Sequence, residues 1–191
     1  MQLILIRHGR PERIDHDPNG ADPGLTELGH RQAAGMADYL ADQKLDKIYV
    51  SPMLRAIETA QPLANAHGLD PVVVPGIAEF DLGHTKYIPG EERAPLTGAE
   101  LEELIADATA PAFVERVRTS IDKIVDDHPE ETVAAVCHGG VITLVLNEIF
   151  GMDLAVYHPS RYTSVTRIHH APTGKRYMAS FNESHWLNGL K

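Results

Sequence analysis

Gln2-Leu3-Ile4-Leu5-Ile6-Arg7-His8-Gly9 is the stretch on which the reading of the fold turns. A short, unbroken apolar run that ends abruptly in charged residues and glycine is the pattern of a strand buried on both faces. The run Leu3–Ile6 is far too short for a membrane span or a signal peptide, so it reads as the first strand of a core. The same grammar recurs twice. Lys47–Val50 is apolar and is followed by Ser51-Pro52 and then Arg55, and Thr132–Val136 is followed by Cys137 and then His138-Gly139-Gly140.

Helical periodicity fills the intervals between these runs. Leu28–Asp42 spaces Leu28, Met36 and Leu40 along one face, with Thr26 placed to cap its N-terminus. Ala56, Ala60 and Leu63 mark a second helix, and Val72–Val74 a third strand that stops at Pro75. Helices are predicted near Ala99–Ala106 and Phe113–Asp127, the first preceded by Thr97 at capping-box distance from Glu100. A helix from about Val141 to Phe150 follows the Thr132 strand. Two further strands, near Ser164–His169 and Tyr177–Phe181, flank a turn at Pro172-Thr173-Gly174. This alternation implies an α/β fold of three layers, a mostly parallel central sheet flanked by helices on both faces. The 191 residues read as one domain, with the Pro/Gly-punctuated stretch 84–98 as a candidate lid.

Charge and composition narrow the function classes. Lysine and arginine number 17 against 27 acidic residues, a formal net charge of −10. Such a chain lacks the basic field that attracts nucleic acid. An anionic ligand must therefore be held by a local cluster of cations. The single cysteine, Cys137, permits no internal disulfide framework, which fits a reducing cytoplasm. No membrane partner is expected, and the oligomeric state stays open, a homodimer among the options.

In a parallel sheet every strand ends at the same edge, and open α/β folds bind ligands there. Arg7-His8-Gly9, Ser51-Pro52 with Arg55, and His138-Gly139-Gly140 are thus predicted to converge on one cleft. Two guanidiniums offer forked donors suited to phosphate oxygens. The glycines admit close backbone approach, and the helix after Gly140 adds amide donors for an anion. Two imidazoles supply a nucleophile and a further donor. Taken singly, each residue is ordinary scaffold; their joint placement describes a phosphate pocket containing a reactive group.

Those same residues resemble a known family. Leu5-Ile6-Arg7-His8-Gly9 is similar to the defining motif of the histidine phosphatase superfamily, or phosphoglycerate mutase-like fold. The likeness continues through Leu25-Thr26-Glu27-Leu28-Gly29 with Gln32-Ala33, and through Ser51-Pro52-Met53-Leu54-Arg55-Ala56-Ile57-Glu58-Thr59-Ala60. It extends to Glu79 with Gly83, to Val136-Cys137-His138-Gly139-Gly140-Val141, and to Asn182 and His185. The resemblance implies a nucleophilic His8 that forms a phosphohistidine, with Arg7, Arg55, His138 and Gly139 around the phosphoryl group. It also implies Glu79 as general acid and then base, with no metal and no cofactor.

Physical chemistry suits those roles. Arg7 and Arg55 disfavour a further cation at His8, keeping it neutral for attack. Glu79 must be protonated near neutrality, which burial against Ile77 and Phe80 favours. Asp81 is the rival acid, on the same face as Glu79 if the segment is extended. The position of Glu79 in the family pattern favours it.

Two departures separate the chain from the family's mutases. Arg10-Pro11 follow Gly9 where the mutases have Glu and then Ser or Thr, and Ile14 stands where they place an asparagine. The chain is also shorter than they are. Both favour hydrolysis of a small phosphorylated substrate over phosphoglycerate mutase action, with a phosphoprotein phosphatase of the same fold as a further alternative. Arg10 reads mainly as a solvated residue, and Glu91-Glu92 as a barrier to a second phosphate if turned inward. A cysteine phosphatase is excluded because Thr143, not Arg, stands six positions after Cys137. The eleven histidines include no His-Glu-x-x-His helix and no paired cysteines for a metal.

Overall fold

Six strands form one sheet in the order β3-β2-β4-β1-β5-β6 in a computed structural model that describes residues 1–93, 95 and 97–190. The strands are β1 (Gln2–Arg7), β2 (Lys47–Val50), β3 (Val72–Val73), β4 (Thr132–Cys137), β5 (Val165–His170) and β6 (Arg176–Glu183). The first four run parallel, and β5 and β6 add an antiparallel edge.

Strand alternation divides the core between two layers of helices. Leu3 and Leu5 point to one face, where they pack with α4 (Pro111–Asp127) and α5 (Gly139–Phe150). Ile4 and Ile6 point to the other, against α1 (Glu27–Leu40) and α2 (Leu54–His67). All four side chains are completely buried, as a strand covered on both faces requires. The expected three-layer α/β architecture is what the chain forms. The fifth helix, α3 (Gly98–Ala108), differs from the others in having no buried residue.

Local signals set most boundaries. Thr26 accepts a hydrogen bond from the Gly29 amide at 2.9 Å, and Thr97 with Glu100 forms the complete capping box. Elsewhere tertiary contacts move the ends. β3 keeps only two residues, because Pro75, which lacks an amide hydrogen, opens a 3-10 turn over Pro75–Ile77. α5 begins at Gly139, two residues before the expected start, since His138 is its N-cap and both glycines are helical. The segment 84–98 is partly tied down. Tyr87 and Ile14 exchange two backbone hydrogen bonds of 2.8 and 2.9 Å, and Gly90–Glu92 forms a 3-10 turn.

Candidate active site

The register of the parallel strands assembles the site. Arg7 lies opposite Cys137 and Val50 opposite Val136, so the residues that follow each strand leave the sheet side by side. Arg7, His8, Arg55, Glu79, Asp81, Gly139 and Gly140 line one cavity of about 560 Å3. His138 sits behind it, with its ring centroid 5.2 Å from that of His8. Of the residues expected at the strand edge, Arg7, His8, Arg55, Gly139 and Gly140 line the cavity, and His138 with Ser51 stands behind it.

His8 is 3% exposed, and its Nδ1 lies 2.8 Å from the Gly9 carbonyl. A carbonyl oxygen only accepts, so Nδ1 carries the proton and Nε2 of the neutral ring keeps a lone pair. Burial, then Arg55 and Arg7, hold His8 well below the ordinary imidazole pKa. The sequence pointed to the arginines as the cause; burial is the larger one. Gly9 in turn donates its amide to Thr59 Oγ1 at 2.8 Å. A Cβ on Gly9 would stand 2.7 Å from the Gly29 carbonyl oxygen, so the loop after β1 and the start of α1 approach too closely for a side chain there.

The two arginines are fixed but incompletely partnered. Arg55 is 1% exposed. It bonds Asp81 through Nη2 at 2.8 Å and stacks on the Tyr87 ring at 4.7 Å. Burial works against its charge, yet Asp81 and Tyr87 more than offset that and raise its pKa. Arg7 donates to the Ser160 carbonyl and lies 4.3 Å over Tyr162. Nevertheless Nε and Nη1 of Arg55 and Nε of Arg7 are buried without a hydrogen-bond partner among the described residues. His138 is bonded through Nε2 to Ser51 Oγ at 2.6 Å, while its Nδ1 has no partner among the described residues. Burial, Arg55 and His8 keep this ring neutral as well.

Glu79 has the opposite environment. It is 7% exposed, and its pKa is raised to about 7 by burial and then by the Asp81 carboxylate. Its Oε2 accepts the Gly140 amide at 2.8 Å, and Oε1 accepts the Phe80 amide at 3.2 Å. The amide of Gly140 is thus bonded to the carboxyl group of Glu79. A Cβ on Gly140 would fall 2.3 Å from Glu79 Oε1. Asp81 is committed to Arg55, and residues 78–81 form a turn region instead of a strand, so the premise of a shared face does not hold.

Other contacts were not legible in the sequence. Arg116 on α4 donates to the carbonyls of Pro75, Gly76 and Ala78 at 3.0–3.2 Å, strapping down the segment that carries Glu79. No motif marks it. Tyr87 and Tyr162, which back the two arginines, are equally unmarked. Glu91 and Glu92 both bond Arg10, at 2.7 and 2.6 Å, and Glu91 accepts from the Tyr162 hydroxyl. Neither glutamate lines the His8 cavity, and Arg10 is neither free in solvent nor part of that cavity. Among the described residues, no three His, Cys, Asp or Glu side chains group as a metal site, and no helix is long and apolar enough to cross a membrane.

Comparison with known proteins agrees with this geometry. The profile of the histidine phosphatase superfamily (branch 1) matches residues 3–183. Phosphoserine phosphatase 1 of Hydrogenobacter thermophilus is 28% identical over 169 residues, covering 82% of this chain and 80% of its own. An uncharacterized phosphatase, PhoE, of Bacillus subtilis is 29% identical over 79% of this chain and 78% of its own. In fold, the chain is similar to a phosphoserine phosphatase mutant from Entamoeba histolytica solved with phosphoserine. That pair has a TM-score of 0.77 and 24% identity, over 97% of this chain and 98% of the other. The phosphoglycerate mutase-like architecture and the phosphatase class read from the sequence both stand. The chain belongs to the histidine phosphatase superfamily, branch 1.

Proposed function

We propose that the chain hydrolyses a phosphomonoester of a small metabolite through a phosphohistidine on His8, without a metal. One observation carries this reading. Three guanidinium nitrogens of Arg7 and Arg55 are buried beside His8 with no hydrogen-bond partner among the described residues. Charged donors left unpaired away from water are costly, and an anion in the cavity removes that cost. A phosphoryl group fits the forked geometry of the donors.

The chemistry follows from the side chains. Nε2 of His8 attacks phosphorus, and the bond to the leaving oxygen breaks while Glu79, protonated near neutral pH, gives that oxygen its proton. The Nδ1–H bond to the Gly9 carbonyl supports positive charge growing on the ring. Arg7, Arg55 and His138 hold the equatorial oxygens, with the Gly139 backbone beside them. Glu79, now a carboxylate, takes a proton from water as that water attacks the phosphohistidine, and His8 and inorganic phosphate are released. The carboxylate is stabilised in that interval by the Gly140 amide at the start of α5.

The whole chain acts as one domain in this scheme, and the lone buried thiol suits a cytoplasmic setting. Phosphate release from a panel of monoesters, run with wild type and His8→Ala, tests the proposal. Turnover is expected to vanish in the variant, and quenching the wild type in alkaline detergent is expected to trap a phosphoenzyme that is stable to base and labile to acid. Undiminished hydrolysis by His8→Ala would overturn it.

A further inference from the structure

α3 is amphipathic yet buries nothing in the core. Its apolar residues Leu101, Leu104, Ile105 and Ala108 follow the i, i+3, i+4, i+7 spacing of one helical face. All four line the cavity that contains His8. Leu154 and Val156, from the segment between α5 and β5, also line it. Leu101 and Val156 are 46% and 36% exposed. Apolar side chains that would ordinarily join a core are thus held at the mouth of a phosphate site.

Size and charge define the occupant. The cavity, about 560 Å3, lies within the range of pockets that enclose drug-sized ligands, roughly 300–1,000 Å3. A phosphoryl group on a three-carbon alcohol leaves most of that space empty. Beyond Arg7 and Arg55, the acidic and basic side chains of the described lining are Glu79, Asp81 and Arg93. Glu79 is protonated near neutral pH and Asp81 is paired with Arg55, so among the described residues no buried cation is left for a second anionic group. Arg93 is exposed, and its Nε donates to the Ile88 carbonyl at 3.0 Å.

The geometry points to a phosphomonoester whose leaving group is a long apolar alcohol carrying no second anionic group. Its chain lies between α3 and the 154–156 segment, and its phosphate lies at His8. The inference rests on the phosphatase reading above and names the substrate class of that same site. Water replaces the alcohol on phosphorus by the steps already given, and the released alcohol keeps the proton from Glu79.

A homologous series of n-alkyl monophosphates, ethyl to octyl, tests it, because lengthening the chain leaves the leaving-group chemistry unchanged. Each methylene buried is expected to raise kcat/KM roughly fourfold until the cavity is full. Octyl phosphate should exceed ethyl phosphate by about a hundredfold or more. Leu104→Asn is expected to cut the octyl-to-ethyl ratio by roughly tenfold, and circular dichroism checks its fold. Glu103→Gln, on the same helix but outside the lining, should leave the ratio unchanged. Equal kcat/KM along the series overturns the inference while the phosphatase reading stands. So does a preference for O-phosphoserine that Arg93→Ala abolishes. Absence of phosphate release from every alkyl ester and from p-nitrophenyl phosphate overturns both.

Discussion

The cavity has two ends built on different principles. At the phosphate end, Arg55, His8, His138 and Glu79 are almost fully buried; the first three sit on strand ends or helix starts, and Glu79 in the turn region after Pro75–Ile77. Each is held by at least one named backbone or side-chain contact. At the other end, α3 contributes an apolar face without a buried residue, and its walls are partly open to solvent. The contrast separates two demands. Transferring a phosphoryl group requires preorganised charge, which only a rigid, dry framework supplies. Accepting an apolar leaving group requires apolar area, which a lightly packed helix provides without disturbing the sheet.

The largest effect that bears on this contrast is expected at the rigid end. Arg55→Ala removes the buried cation and frees Asp81 as an uncompensated carboxylate beside Glu79. Its kcat/KM should fall by about three orders of magnitude or more for every substrate, with no dependence on chain length. A loss that varied with the leaving group would mean the two ends are not separate.

Glu79→Gln comes next. It is expected to slow alkyl phosphates about 10²–10⁴-fold and p-nitrophenyl phosphate far less, since p-nitrophenolate leaves without a proton. Equal slowing of both would shift the acid role to Asp81 or water. In the wild type, kcat/KM for alkyl phosphates should decline above about pH 7, as Glu79 loses the proton it must donate. This limb should be missing in Glu79→Gln.

The same substitution has an opposite effect on stability. The folded-state pKa of Glu79 is raised from 4.5 to about 7, so the folded chain binds more protons than the unfolded chain between those values. Stability therefore falls as pH rises through that window, by up to about 3 kcal/mol. Glu79→Gln should raise the melting temperature relative to wild type at pH 8, and the gain should disappear near pH 4.

A smaller effect is expected at Gly140. Gly140→Ala places a methyl group against the Glu79 carboxyl, and kcat for alkyl phosphates should drop roughly tenfold to a hundredfold, with the alkaline limb displaced. The least effect on folding belongs to α3. Leu5→Ala should cost about 2–5 kcal/mol, whereas Leu104→Ala should cost less than about 1 kcal/mol. Chemical denaturation of both variants makes the comparison quantitative.

Much of the rigid end could be read from the chain. Its residues follow directly on apolar runs, and strand order fixes where such residues emerge. Thr26 and Thr97 announce helix starts because a cap is a local interaction. The rest depends on contacts between distant segments. The glycines at 139 and 140 read as a turn, since glycine disfavours helix; that both are helical follows from the Ile142 amide bonding the His138 carbonyl and from Glu79 arriving 61 residues away in sequence. Arg116 binds carbonyl oxygens, which every residue has, so no sequence pattern reveals its partners. Likewise Glu91 and Glu92 could be seen as acidic but not as the anchors of Arg10. The apolar stripe of α3 was readable as helical, yet periodicity alone does not distinguish a face that meets a core from one that meets a ligand.

Cys137 ends β4 immediately before His138, completely enclosed, and burial pushes its thiol well above the usual range. A sulfur so placed is protonated and out of reach of alkylating reagents while the sheet is intact. Because the chain contains no other thiol, the labelling rate of this one atom becomes a clock for opening of the central strands. It reports on the scaffold beneath His8 and His138 without an engineered dye site.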